Sequence, residues 1–183
     1  PTAWYGSPNV NGKPTQYEDA QPKWQMSWSN NIVFLQNFEM AFLFHHSHRN
    51  YNSSLNQELT DEGGTSPDWN TKNAAGIPLG LARQLGQPGI TTRQFIQDAT
   101  FTKLREVSLY YTIPKTMLSK NSVLKGIESM KIGVSAQNVF VWTKYFGYDP
   151  EGANFGNRPT IAPVDLLSFP SARRMYFHLN VNF

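Results

Sequence analysis

The chain has 183 residues, no cysteine, and 16 Lys plus Arg against 13 Asp plus Glu. That excludes a disulfide framework and a thiolate metal site, and a formal charge of +3 is too small and scattered to argue for a nucleic-acid partner. Charged residues make up only 16% and aromatics reach 14%, with 13 Gly and 12 Pro, a composition that favours strands and turns.

No stretch approaches the roughly 20 consecutive apolar residues of a transmembrane helix. A mean hydropathy of -0.47 does not argue against a membrane barrel, whose lumen face and loops are polar.

In chain order, the segment before Trp24 reads as a loop. The first strand is WQMSWSNNIVF, 24–34, with Trp24, Met26, Trp28, Ile32 and Phe34 on one face and Gln25, Ser27, Ser29 and Asn31 on the other. Side chains alternate faces along a strand, so this is a period-two pattern. FEMAFLFHHSH, 38–48, follows after three residues, a hairpin-length link, with Phe38, Met40, Phe42 and Phe44 on one face. A long Gly/Asn/Pro/Asp-rich link, 49–103, leads to LREVSLYYTI, 104–113, with Val107, Leu109, Tyr111 and Ile113 on one face and Glu106, Ser108 and Tyr110 on the other. MKIGVSAQNVFVW, 130–142, alternates likewise, although Asn138 breaks its apolar face. A second long link, 143–172, precedes RRMYFHLNVNF, 173–183, in which Met175, Phe177, Leu179, Val181 and Phe183 are apolar up to the last residue.

Two architectures fit. One is a soluble β-sandwich, for example a carbohydrate-binding module. The other is a membrane barrel wall, serving import or else adhesion or secretion. Strands of about 9–11 residues suit a bilayer crossed at about 45°. Short turns at one end and long loops at the other favour the barrel. So do two aromatic girdles, Trp24, Phe44, Trp142 and Tyr145 near the long loops and Phe34, Phe38, Tyr111 and Phe183 near the short turns.

Three segments then resemble the C-terminal end of the SusC/RagA family of TonB-dependent outer-membrane transporters. They are IQDATFTKLREVSLYYTIP (Ile96 to Pro114), SAQNVFVWTKYFGYDPE (Ser135 to Glu151) and FPSARRMYFHLNVNF (Phe169 to Phe183). Tyr110, Ala136 and His178 stand where that family often has glycine. The resemblance implies an all-β fold, the last five strands of an antiparallel barrel of about 22 strands, in the bacterial outer membrane. It implies that the plug domain lies outside residues 1–183. It further implies import of glycans or peptides with a SusD-like surface lipoprotein and the TonB complex. Phe177, Leu179, Val181 and Phe183 would then also serve as a signal to the barrel-assembly machinery. The expected partners are the remaining barrel and plug, that lipoprotein, TonB, the assembly machinery and outer-membrane lipids. Five strands cannot close a barrel, so the first and last are expected to pair with strands beyond this chain.

Sites of chemistry are few. His46 and His48 share a strand face and could share a metal, but a polar strand end fits better. Asp61 and Glu62, with Asp68 and Trp69, stand in DEGGTSPDWN, which does not fit the EF-hand spacing and reads as a solvated loop able to touch substrate or the lid lipoprotein. FGYDPEGANFGNRP, 146–159, offers Tyr148 and Asp149, beside Tyr145, for sugar or lid contact or for rigid loop packing. No G-x-S-x-G elbow or phosphate loop occurs, so no enzyme is expected. No cofactor is expected either, apart from calcium in the associated complex.

Overall fold

A computed structural model describes residues 3–8, 14–85, 92–120, 123–124, 126–152 and 164–183. Among these, ten strands, three α-helices and one 3-10 turn follow in order: β1 (Ala3–Pro8), β2 (Pro14–Asp19), β3 (Trp24–Phe34), β4 (Phe38–His48), β5 (Tyr51–Ser54), α1 (Leu55–Glu62), α2 (Leu79–Gln84), the 3-10 turn (Thr92–Phe95), β6 (Ile96–Asp98), β7 (Phe101–Ile113), α3 (Lys115–Leu118), β8 (Ser129–Thr143), β9 (Val164–Asp165) and β10 (Arg174–Asn182). They form three sheets, β1-β2, β10-β8-β7-β4-β3 and β6-β5-β9. The chain divides into two compact units. The first holds Pro1–Gln25, Ser47–Phe101 and Thr143–Ser171, and the second Met26–His46, Thr102–Trp142 and Ala172–Phe183.

The second unit carries the greater part of the five-stranded sheet. The register of β10 on β8 pairs Met175 with Ala136, Phe177 with Val134, Leu179 with Ile132 and Val181 with Met130, so apolar faces apolar across the pair. Glu128 N–H donates to the Asn182 carbonyl at 2.7 Å, continuing the pairing to the end of β10. The β3–β4 turn holds Leu35 and Gln36 at φ +48° and +63°. Those values match the tight turn whose twist suits paired strands, without the glycine or asparagine that usually occupies it.

The apolar face is a single continuous surface. Phe34, Phe38 and Tyr111 stack in sequence at the turn end, with centroids 5.4 and 4.6 Å apart. Trp28, Phe42, Phe44, Trp142 and Phe140 form a second cluster farther along the strands. Among the described residues of this unit no second sheet covers that face. Phe177 is 73% exposed and Phe183 88%, and Trp28, Phe140, Trp142 and Leu179 are all exposed. Soluble monomers rarely expose a contiguous apolar patch of this extent. A sandwich, which buries one face of each sheet, is therefore not the architecture of this unit.

The opposite face is polar and internally paired. Lys131 Nζ meets Glu39 Oε2 at 2.5 Å, and Asn31 donates to Glu39 Oε1 at 3.1 Å. Ser135 and His178 pair at 2.8 Å, and Ser27 and His45 at 2.9 Å. The bulky Tyr110 and His178 fit because Gly133 lies between their strands. A Cβ there would come within 2.2 Å of Tyr110 Cδ1, and Tyr110 and His178 sit 5.3 Å apart.

Three features differ from the sequence expectation. Strand β7 begins at Phe101 rather than 104. Its register also shifts: Phe38 meets Tyr111, whereas His46 Nδ1 meets the Thr102 hydroxyl at 2.8 Å, so one extra residue lies between Thr102 and Tyr111. Buried positions move accordingly from Phe101 and Lys103 to Ser108, as a β-bulge produces. Finally, the segment before Trp24, expected to be a loop, contains the antiparallel pair β1 and β2.

Candidate functional site

Within the two links expected to be loops, the described residues include short strands and helices of the first unit. Ser54 caps α1 through its side chain, accepting from Gln57 N–H at 3.4 Å. Strand β5 pairs antiparallel with β6 and parallel with β9. Sequence patterning missed this because three strands of two to four residues are too short to show a period.

A buried charge cluster closes the 61–83 segment. Asp61 is fully buried, and Arg83 reaches it through Nε at 2.6 Å and Nη2 at 2.7 Å. Arg83 also holds Asp68 through Nη1 and Nη2, both at 2.7 Å. One planar guanidinium thus bridges two carboxylates, each by two bonds. The Trp69 ring roofs the cluster, and a Cβ on Gly80 would lie 2.4 Å from that ring and 2.8 Å from Asp61 Oδ1. The hydrogen bonds from Arg83 hold the Asp68 carboxyl below its ordinary 3.8. Bonds to Asp68 and then Asp61 raise the Arg83 guanidinium above its ordinary range. In α1, burial and then the neighbouring Glu62 push Glu58 up.

A second hub centres on Asp165, which is buried. It accepts from the Tyr145 hydroxyl at 3.0 Å, from Asn56 Nδ2 at 3.0 Å and from the Ser168 hydroxyl. Burial, then the Asp165 charge, raises the Tyr145 phenol above its ordinary 10. Asp149 is likewise buried and accepts from Ser171 N–H at 2.9 Å and the Ser171 hydroxyl at 2.6 Å. Asn56 Oδ1 accepts from Leu167 N–H at 2.6 Å, with Leu167 in the left-handed region at φ +51°.

These placements correct several sequence readings. Asp61 and Tyr145 are internal ties, so Asp61 is not a solvated carboxylate and Tyr145 is not a girdle residue; Asp149 is buried and ties its loop, as the rigid-packing reading has it. Glu62 is exposed, Trp69 half-buried, and Tyr148 87% exposed. Phe169, missed in the sequence, is 97% exposed and lines a cavity of about 450 Å³ with Asp149, Glu151, Gly152, Leu167 and Ser171. The remainder of the 146–159 motif beyond Gly152 lies outside the described residues. His48 stacks on Trp24 at 5.0 Å, while His46 bonds Thr102, so the two rings have separate partners. No cluster of three or more metal-ligating side chains occurs among the described residues. Phe177, Leu179 and Phe183 stand exposed on the apolar face of the sheet, with Val181 less so.

The Asp68 shift gives a pH prediction. Its pKa is depressed in the folded segment, so its contribution is present above the unfolded value near 3.8 and is lost as pH falls through the lower folded value. The 61–85 segment should therefore become protease-sensitive as pH falls below about 4, with little change between pH 5 and 8. Limited pepsin digestion of the intact protein, followed by peptide mapping, checks this.

No family model matches the chain. It is 27% identical over 175 residues to TonB-dependent receptor P3 of Formosa agariphila, and 34% identical over 90 residues to receptor P39 of the same organism. Those alignments cover 90% and 49% of this chain but 17% and 8% of the receptors, so the chain spans a small part of their length. In fold it matches the RagAB peptide importer in its open-open state with a TM-score of 0.66 at 17% identity, covering 99% of this chain and 20% of that one. The closed-closed state gives 0.62 at 14% identity, covering 98% of this chain and 22% of that one. In sequence the chain is similar to a stretch of TonB-dependent receptors, and in its antiparallel all-β fold to a stretch of the RagAB importer.

Proposed function

We propose that the chain forms part of the barrel wall of a bacterial outer-membrane importer that takes up nutrients under TonB control and works with a SusD-like surface lipoprotein. The observation that carries this reading is the five-stranded sheet, which leaves one aromatic-rich apolar face exposed along its length and keeps a paired polar face opposite. In a barrel wall the first face meets lipid and the second lines the lumen. The edge strands β3 and β10 would pair with the rest of the barrel, which also supplies the plug and the contact to TonB. Phe177, Leu179, Val181 and Phe183 would serve both lipid contact and recognition by the assembly machinery. On the first unit, exposed Tyr148, Phe169 and Glu62, with half-buried Trp69, would offer contacts to cargo or lid. Likeness to a peptide importer favours peptide over glycan as cargo.

The test is detergent extraction of the native protein from outer membranes, with mass spectrometry of everything that copurifies. A detergent-dependent complex containing a plug-bearing polypeptide and a lipoprotein is expected. Recovery in the aqueous fraction without detergent would overturn the reading.

A further inference from the structure

On the sheet, Ser29, Asn30, Asn31, Ala41, Phe42, Leu43 and Glu106 line a cavity of about 350 Å³. Its polar groups are unevenly matched. Glu39, next to it, is neutralised by Lys131 at 2.5 Å and bonded by Asn31 Nδ2. Glu106 is exposed and has no hydrogen bond or ion pair among the described residues, and neither has the Ser29 hydroxyl. The Asn31 side-chain oxygen also remains open, since only its nitrogen is engaged. The cavity thus presents a carboxylate, an amide oxygen and a hydroxyl above the small side chain of Ala41 and the aliphatic Leu43.

An acceptor-rich pocket with one unneutralised negative charge suits a donor-rich cation. A neutral sugar would need donors as well as acceptors and a free aromatic face. The ring that lines it, Phe42, is packed edge-on against Trp28 and Phe44, and Tyr110 on the neighbouring strand is engaged by Lys131 Nζ, 4.7 Å from its centroid, and by His178. Resting on the importer reading, we propose that this cavity is a lumen-wall subsite for a basic peptide side chain, with Glu106 as its charge partner and Ser29 and Asn31 as orienting acceptors.

The experiment measures binding of two end-blocked pentapeptides, Ac-AAKAA-amide and Ac-AAQAA-amide, to the purified full transporter and to its Glu106→Gln variant. The native transporter should favour the lysine peptide about tenfold, as one charge-assisted bond provides. Glu106→Gln should abolish that preference and leave the glutamine peptide and the thermal midpoint unchanged. A preference that survives Glu106→Gln, or none in the native transporter, would overturn the subsite and leave the importer reading standing. Loss of both peptides with a lowered midpoint would also overturn it, and would assign Glu106 to a basic residue of the transporter itself. If the native transporter binds neither peptide, peptide import fails as well.

Discussion

Asp61→Ala should cost the 55–85 segment about 3–5 kcal/mol of local stability, the usual penalty for removing one partner of a buried ion pair. Asp61 is wholly buried and takes two of the guanidinium's bonds, while Arg83 is only 19% exposed. Truncation leaves that charge with Asp68 alone and opens a void beneath Trp69. Asp68→Ala should cost less, because the Asp68 side chain is 25% exposed and water can replace it. The double substitution Asp61→Ala with Arg83→Met should recover much of the loss, because no charge is then left buried without its partner. Native-state hydrogen exchange across residues 54–85 reads all three. Equal protection in Asp61→Ala and the unaltered protein would show that the cluster does not hold the segment. Amide exchange on β8 and β10 should be unchanged in every variant, since local openings are confined to cooperative units.

The second large effect tests the proposed barrel wall, in which the apolar face of β10 meets lipid. Leu179→Arg should destabilise the barrel by about 2–4 kcal/mol, the cost of a cation near the middle of the hydrocarbon. Asn180→Arg, one residue along, should stay within about 1 kcal/mol because it enters the polar face. The strand and the added side chain are the same in both, and the two positions lie on opposite faces. Leu179 pairs with Ile132, and Asn180 with Lys131. Urea unfolding of the full transporter refolded into liposomes, followed by heat-modifiable gel migration, measures both. Equal effects at the two positions would mean that neither face is immersed in lipid.

Period-two alternation was enough to place all five long strands, because a strand with one apolar and one polar face must alternate. The apolar register of Met175 through Val181 is an example: it follows from the residues alone and reappears as the pairing with β8. The short β3–β4 link was legible for the same reason, since only a tight turn can join strands three residues apart. The roles of the polar residues were not legible. Asp61 read as a solvated loop carboxylate and Asp149 as either a contact residue or part of a rigid loop; burial was decided by distant partners, Arg83 for one and Ser171 for the other, each 22 residues away in sequence. Tyr145 read as an interfacial ring, but a bond to Asp165 draws it inside. The register shift within β7 was equally hidden, because a bulge shows only against the neighbouring strand. Local pattern encodes which face a side chain takes; which polar group it meets depends on where the chain returns, and only the tertiary structure sets that.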